Sequence, residues 1–240
     1  RNYANETQVG EGIRRSGIDR KELFVTSKLW IKDYDYSRVR QAFQATLDRL
    51  QLDYLDLYLL HQPFGDVYGA WRALEELYNE GKIRAIGISN FHPDRVTDFA
   101  FTAQVKPAVN QIEFSPYFQR WTDKWVNDEY GVQVEAWGPL VSGLRPEVFT
   151  EPTLVKIGKK YGKTPAQVIL RWLTQQGVVT LCKTQQPERM VENLESLTFK
   201  LSVEDMARIA KLDKGHTMAK DHRSPEDVKW FHTQATRELK

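Results

Sequence analysis

One segment of the sequence combines residue types that bind phosphate. In LCKTQQPERMVENL (181–194) an apolar run ends in Lys183 and Thr184, and a helix is predicted to begin near Pro187 with Arg189 in its first turn. A helix N-terminus carries unpaired backbone N–H groups and partial positive charge, so anions bind there. Arginine adds paired hydrogen bonds to a phosphate. We therefore expect an anion site at this helix start, the alternative being an ordinary solvated basic turn.

Residues with hydrogen-bonding side chains also lie near the ends of the other apolar runs. These runs occupy 23–29, 55–61, 84–90, 108–114, 132–140 and 178–183. The residues are Lys28, His61, Ser89, Asn90, Gln111, Trp137 and Lys183. A parallel barrel builds its active site from the carboxyl ends of several strands. The pattern therefore predicts a site assembled from many strand ends.

Amphipathic segments separate the apolar runs, which indicates alternating strands and helices. One helical face is formed by Val39, Phe43, Leu47 and Leu50, and Val9 and Ile13 share a face of a helix near the N-terminus. Such alternation produces a buried parallel sheet, either doubly wound or closed into a barrel. A doubly wound dinucleotide-binding sheet would carry G-x-G-x-x-G, and the sequence contains none. We predict an α/β fold of the (β/α)8 TIM barrel type.

The barrel prediction requires more strands than the sequence provides. Six runs are visible, whereas this barrel has eight strands. We expect the first two strands and the first helix to precede Arg1. We interpret residues 1–240 as a single barrel domain, with 216–240 as a C-terminal tail over the pocket.

Composition excludes several classes of protein. The chain is 41% hydrophobic and 28% charged, with a net charge of +2 and interleaved basic and acidic residues, so a nucleic-acid partner is not expected. No apolar stretch reaches the roughly 18 residues of a membrane helix. Cys182 is the single cysteine, which favours a reducing, cytoplasmic location. The remaining histidines lack metal-ligand spacing, so we expect no metal.

Eight motifs, taken together and in order, resemble one enzyme family. They are YANETQVGEGI, ELFVTSKLW, LDYLDLYLLHQP, GKIRAIGISNFHP, PAVNQIEFSPY, VEAWGPL, GKTPAQVILRW and CKTQQPERMVENL. From Tyr3 to about Asp213 the sequence resembles the aldo-keto reductase superfamily, in particular its bacterial 2,5-diketogluconate-reductase-like members. The resemblance implies a (β/α)8 barrel and NADPH-dependent reduction of a carbonyl group.

The resemblance also implies a catalytic group. Tyr3 would be the general acid, Lys28 its neighbour, and His61 the residue that orients the substrate carbonyl. Hydride delivery to a carbonyl carbon places negative charge on its oxygen, so a nearby proton donor accelerates the reaction. A free tyrosine has a pKa of about 10, and a lysine ammonium beside it lowers that pKa.

By the same resemblance, the cofactor contacts fall on four parts of the chain. Ser89, Asn90 and Gln111 would bind the nicotinamide carboxamide, and Trp137 would stack on the ring. Leu140 and Ser142 would lie along the pyrophosphate. Lys183, Thr184 and Arg189 would hold the 2′-phosphate, with Glu192 and Asn193 at the adenine.

Three departures from the family pattern affect the expected substrate and site. Gln62 stands where many relatives have Trp, which favours a polar carbonyl such as a keto-sugar acid or dicarbonyl, with Trp30 and Phe64 lining the entrance. Cys182 replaces a proline. The family's catalytic aspartate would precede Arg1.

Two other functions remain open from the residues alone. One is a barrel lyase that uses Lys28 as a Schiff-base nucleophile. The other is a non-catalytic NADP-binding subunit. For the reductase we expect a small-molecule carbonyl substrate and a monomer, with a dimer left open.

Overall fold

The computed structural model describes residues 5–236. They divide into two compact units. The first comprises residues 5–110, 130–132 and 221–236, and the second comprises 111–129 and 133–220. The interpretation of the whole chain as a single domain stays a prediction.

Each predicted apolar run coincides with a strand, although β3 begins one residue before its run. The strands are β1 (Thr26–Leu29), β2 (Leu55–Leu60), β3 (Ile83–Ser89), β4 (Val109–Glu113), β5 (Gln133–Trp137) and β6 (Val179–Leu181). They follow chain order in one sheet. The pairs β1–β2, β2–β3 and β5–β6 are parallel. Every residue of β2 is buried, as expected for a parallel sheet covered on both faces.

Ten α-helices lie before, between and after these strands in the described part of the chain. They are α1 (Glu6–Ser16), α2 (Tyr36–Leu50), α3 (Val67–Asn79), α4 (Pro93–Thr102), α5 (Trp121–Glu129), α6 (Pro152–Tyr161), α7 (Pro165–Thr174), α8 (Pro187–Leu194), α9 (Val203–Ala210) and α10 (Pro225–Thr236). Short 3-10 helices lie at 20–22, 31–33, 141–143, 146–150 and 195–198. None of the described helices is long and apolar enough to cross a membrane.

In the first unit, α2 buries the apolar face that the sequence predicted. The four residues of that face, Val39, Phe43, Leu47 and Leu50, are all buried. The buried face of α1 is not the one that Val9 and Ile13 predicted. Val9 is 41% exposed, while Glu6 and Gly10 are buried. A Cβ at Gly10 would lie 2.2 Å from the carbonyl oxygen of Leu50. The close approach of α1 to the end of α2 therefore requires glycine at position 10. The spacing of apolar residues in the sequence did not predict this contact.

Glu6 attaches α1 to two neighbouring elements. Its carboxyl group accepts hydrogen bonds from Ser27 Oγ and from Arg49 Nε, both at 2.7 Å. Burial alone would raise the pKa of Glu6, but the hydrogen bonds from Ser27 and Arg49 outweigh it and lower the pKa. Because Ser27 precedes Lys28 in β1, this buried carboxylate links α1 to the strand that carries the lysine.

In the second unit, α7 begins with a capping box. Thr164 Oγ1 accepts from the backbone N–H of Gln167, and the Gln167 side chain accepts from the backbone N–H of Thr164. Pro165 occupies the first helical position, as predicted. Trp172 of this helix packs edge-on against Trp121, with ring centroids 5.5 Å apart. This aromatic packing fixes α7, whose N-terminus borders the pocket described below.

Candidate functional site

In the first unit, β1 and β2 bring Lys28 and His61 together. Lys28 lies opposite Leu59 in the parallel register, and the backbone N–H of His61 donates to Leu29 O at 3.1 Å. His61 is only 8% exposed. Burial lowers its pKa well below the usual value, and the positive charges of Lys28 and His222 lower it further. The imidazole is therefore neutral at neutral pH.

The backbone and ring of His61 are supported from two sides. Asn90 Nδ2 donates to His61 O at 3.2 Å and to Ser89 Oγ at 3.1 Å. Asn90 adopts a left-handed conformation with φ of 66°, which asparagine tolerates better than most residues. The Trp30 ring meets the His61 ring edge-on at 5.0 Å. The structure thus groups Lys28, Trp30, His61, Ser89 and Asn90, although their roles toward ligands stay predictions.

Gln62 is held by a tyrosine that the sequence did not reveal. The Tyr34 hydroxyl donates to Gln62 O and accepts from Gln62 N–H, both at 2.9 Å. Burial raises the pKa of Tyr34, so it remains a protonated hydroxyl. The Gln62 side chain is buried, and its Oε1 has no hydrogen-bond partner among residues 5–236. The backbone of Gln62 is therefore fixed while its side chain presents a buried acceptor.

The C-terminal tail packs on the loop after β2. The Phe64 ring lies 6.0 Å from His222, 5.6 Å from Phe231 and 6.0 Å from His232, measured between centroids. The predicted helix after Ser224 is present as α10. Whether this tail covers a pocket mouth and tunes specificity stays a prediction. Tyr3, the predicted general acid, lies outside the described residues.

In the second unit, a cavity of about 670 Å³ collects most of the predicted cofactor residues. Such a volume lies within the usual range for small-molecule sites. The predicted residues that line it are Leu140, Ser142, Lys183, Thr184, Arg189, Glu192 and Asn193. Phe149, Thr164 and Cys182 also line it, and the first two were missed because they lie on separate elements. Several separate segments of the chain therefore form one pocket.

The pocket has the donor set of an anion site. The side chains of Lys183 and Arg189 form no salt bridge or hydrogen bond with any residue that the structure describes. The helix α8 begins at Pro187 without a side-chain cap on its first N–H groups. Glu192 is the acidic residue of the lining, and its carboxyl group accepts a hydrogen bond from Thr164 Oγ1 at 2.5 Å. Two available cations at an uncapped helix start fit a phosphate-bearing cofactor.

The loop along this pocket has an unusual backbone. Gly138, Val141, Ser142 and Gly143 all have positive φ, with 59° at Val141. A β-branched residue rarely adopts this conformation, and such strain is concentrated at ligand sites. Gly138 has φ of 63°, a conformation that favours glycine, and a Cβ there would lie 2.6 Å from Ser142 Oγ. Cys182, on the opposite segment, is an exposed free thiol whose pKa is raised by partial burial.

Gln111 and Trp137 lie on β4 and β5 of the same unit. Gln111 is buried, and its Nε2 donates to Glu135 Oε2 at 2.9 Å. The Trp137 carbonyl accepts from Phe114 N–H at 3.3 Å. Glu135 was missed by sequence reasoning because nothing local connects it to Gln111. No group of three or more potential metal ligands occurs within residues 5–236.

A model of the aldo/keto reductase family matches residues 1–214. The chain belongs to this family. A glyoxal reductase from Bacillus subtilis (strain 168) is 48% identical over 216 residues, covering 88% of this chain and 76% of the relative. A methylglyoxal reductase from Escherichia coli (strain K12) is 38% identical over 223 residues, covering 91% of this chain and 80% of the relative.

Solved structures agree with the family assignment. A Bombyx mori aldo-keto reductase in complex with NADP matches with a TM-score of 0.86 and 29% identity, covering 95% of this chain and 80% of that chain. Family membership confirms the predicted (β/α)8 barrel fold and the predicted enzyme class, an oxidoreductase of carbonyl groups that uses NADP(H). It favours reduction over the two other functions that the residues alone left open.

Proposed function

We propose that this aldo/keto reductase reduces small polar aldehydes and ketones, dicarbonyls in particular, with NADPH as hydride donor. The observation that carries the proposal is the buried, neutral imidazole of His61 beside Lys28, at the ends of two neighbouring strands. A neutral imidazole donates a hydrogen bond without acting as a competing acid. The proton must then come from another group, for which Tyr3 is the candidate.

Each residue of the catalytic group has a separate task in this proposal. NADPH, when bound, would be the source of the hydride that the carbonyl carbon accepts. His61 donates a hydrogen bond to the carbonyl oxygen and fixes its direction. The ammonium group of Lys28 favours the phenolate form of Tyr3 and so lowers the pKa of the phenol toward neutrality. Tyr3 gives its proton to the oxygen as negative charge develops there.

We assign cofactor binding to the residues that the sequence predicted for it. Lys183, Thr184 and Arg189 would hold the 2′-phosphate, which their charges and the start of α8 support. Glu192 and Asn193 would face the adenine, and Leu140 and Ser142 the pyrophosphate. The carboxamide would be bound by Ser89, Asn90 and Gln111, with Trp137 against the ring.

The substrate class follows from Gln62 and from the relatives. The buried Oε1 of Gln62 has no partner within the described part of the chain, and an unmet acceptor costs about 1–3 kcal/mol. A substrate hydroxyl or hydrated carbonyl would supply the missing donor. The names of the two bacterial relatives, a glyoxal and a methylglyoxal reductase, point to the same small dicarbonyls. The single cysteine supports a reducing, cytoplasmic setting, and we propose a monomer.

Replacement of the phenol tests the reaction. Tyr3→Phe should lower kcat for methylglyoxal by at least about 100-fold, since general acids contribute 10²- to 10⁴-fold. Binding of NADPH, followed by quenching of tryptophan fluorescence, should stay within about twofold. Tyr36→Phe is the matched control, because Tyr36 is exposed on α2 and bonds Glu76. Full turnover by the Tyr3 variant would refute the assignment.

Replacement of the buried acceptor tests the substrate class. Gln62→Met keeps the volume and removes the acceptor, so KM for a hydroxylated or hydrated carbonyl should rise about tenfold. KM for an unsubstituted aliphatic aldehyde should not rise. An equal change for both substrates would show that Gln62 does not select polar carbonyls.

A further inference from the structure

A buried pair joins β4 to β5 in the second unit. Gln111 of β4 is 3% exposed and Glu135 of β5 is 8% exposed. The Gln111 amide nitrogen donates to the Glu135 carboxyl oxygen at 2.9 Å, an ordinary hydrogen-bond length. Glu135 is itself fixed by the sheet, where it lies opposite Val179 of β6. The strand pairing therefore fixes the backbone from which the carboxyl group reaches the amide.

Hydrogen bonding with Glu135 determines whether the nitrogen or the oxygen of the Gln111 amide faces the carboxyl group. A glutamine side chain has a donor nitrogen and an acceptor oxygen, and rotation by half a turn exchanges them. A carboxylate only accepts hydrogen bonds. Rotation of Gln111 would bring two acceptor oxygens together in a buried place, which is unfavourable. Glu135 thus selects one of the two amide orientations.

We infer that Glu135 is a positioning residue, which holds Gln111 so that its oxygen accepts a hydrogen bond from the carboxamide N–H of the nicotinamide. This inference rests on the proposed role of Gln111 in the cofactor site. An acceptor held in one orientation favours a carboxamide over an acetyl group, which has no N–H to donate. Glu135 therefore contributes to cofactor recognition without touching the cofactor.

The test compares the binding of two cofactors. The Kd of NADPH and the Kd of its reduced 3-acetylpyridine analogue are measured by tryptophan fluorescence, and their ratio reports recognition of the carboxamide. Glu135→Leu should reduce the preference for NADPH about tenfold, because the amide is no longer held. Glu135→Gln retains an acceptor oxygen and should keep part of the preference. Glu135→Asp withdraws the acceptor by one methylene and gives a second measurement if the leucine variant does not fold.

Two further variants separate a positioning role from a structural one. Glu113→Leu also removes a buried carboxyl group from this unit, but its partners are Thr217 and the backbone of Met218. It should leave the ratio unchanged. Gln111→Leu should lose the preference, and adding Glu135→Leu to it should have no further effect.

The outcomes distinguish the inference from the function on which it rests. If Gln111→Leu loses the preference while the leucine and aspartate variants of Glu135 keep it, the positioning role is overturned and the Gln111 assignment stands. If Gln111→Leu keeps the preference, both are overturned. A loss of preference in Glu113→Leu equal to that in Glu135→Leu would show a general effect of lost buried carboxyl groups, and would also overturn the inference.

Discussion

Substitution of Gly10 by alanine tests how α1 is attached to the barrel. The added Cβ would lie 2.2 Å from Leu50 O and 2.7 Å from Leu50 C, both backbone atoms at the end of α2. Ordinary contact begins near 3.4 Å, so the helices must separate by about 1.2 Å. Backbone atoms cannot rotate away as a flexible side chain would. The strain must therefore be relieved by displacement of α1.

The energetic consequence follows from two opposing effects. Overpacking of this kind costs about 1–3 kcal/mol, and alanine regains up to about 1 kcal/mol of helix propensity. A displacement of that size would also stretch the 2.7 Å bonds of Glu6 to Ser27 and Arg49. The loss of either bond adds about 1–3 kcal/mol. We expect Gly10→Ala to lower the free energy of unfolding by about 2 kcal/mol.

The same helix provides a matched control. A Cβ at Gly12 would meet nothing within 4 Å. Gly12→Ala should therefore raise the free energy of unfolding by about 0.5–1 kcal/mol, because only the propensity term remains. Urea unfolding followed by tryptophan fluorescence measures both variants. If the Gly10 and Gly12 variants proved equally stable, the close approach of α1 to α2 would be refuted.

Three further predictions concern buried polar groups. Glu6→Gln should lower the free energy of unfolding by about 1–3 kcal/mol at pH 7. Because the pKa of Glu6 is lowered in the folded state, the difference from wild type should vanish as the pH falls through that pKa. Urea unfolding at a series of pH values measures this difference. The pKa of His61 is lowered in the folded state, so below about pH 6.5 only the unfolded state takes up a proton on this residue. The free energy of unfolding should therefore fall by up to about 1.4 kcal/mol for each pH unit below that value, and His61→Gln should abolish this fall. Tyr34→Phe leaves the N–H of Gln62 without its partner and should cost about 1–3 kcal/mol in thermal or urea unfolding. Glu11→Gln, at an exposed position of α1, is the control for Glu6→Gln, and Tyr36→Phe, at an exposed position of α2, is the control for Tyr34→Phe. A pH-independent Glu6 effect, an unchanged slope without His61, or a Tyr34 variant as stable as the Tyr36 variant would contradict the respective prediction.

The secondary structure was predictable because its determinants are local. Each strand is a short apolar run, and α7 carries its own start signals in Thr164 and Pro165. The buried face of α1 was not predictable from apolar spacing. It depends on the absence of a side chain at Gly10 and on a charge at Glu6 that is neutralised by a residue 43 positions away.

In the candidate site, too, the residues that are close in sequence were predictable and the pairs that are distant in sequence were not. Lys183, Thr184 and Arg189 belong to one strand-to-helix turn, so the sequence brings them together by itself. The pair of Tyr34 and Gln62 spans 28 positions, and the pair of Gln111 and Glu135 spans 24. Such pairs depend on the register of neighbouring strands and loops, which a single sequence does not specify.

The free thiol at the edge of the second-unit pocket has a practical consequence. Because Cys182 is the single cysteine among residues 1–240, a maleimide or iodoacetamide dye will attach to this part of the protein at one known place. The raised pKa of that thiol means that labelling will proceed faster in mildly alkaline buffer than at neutrality. A fluorophore there would give the protein a built-in optical reporter of whatever enters beside it.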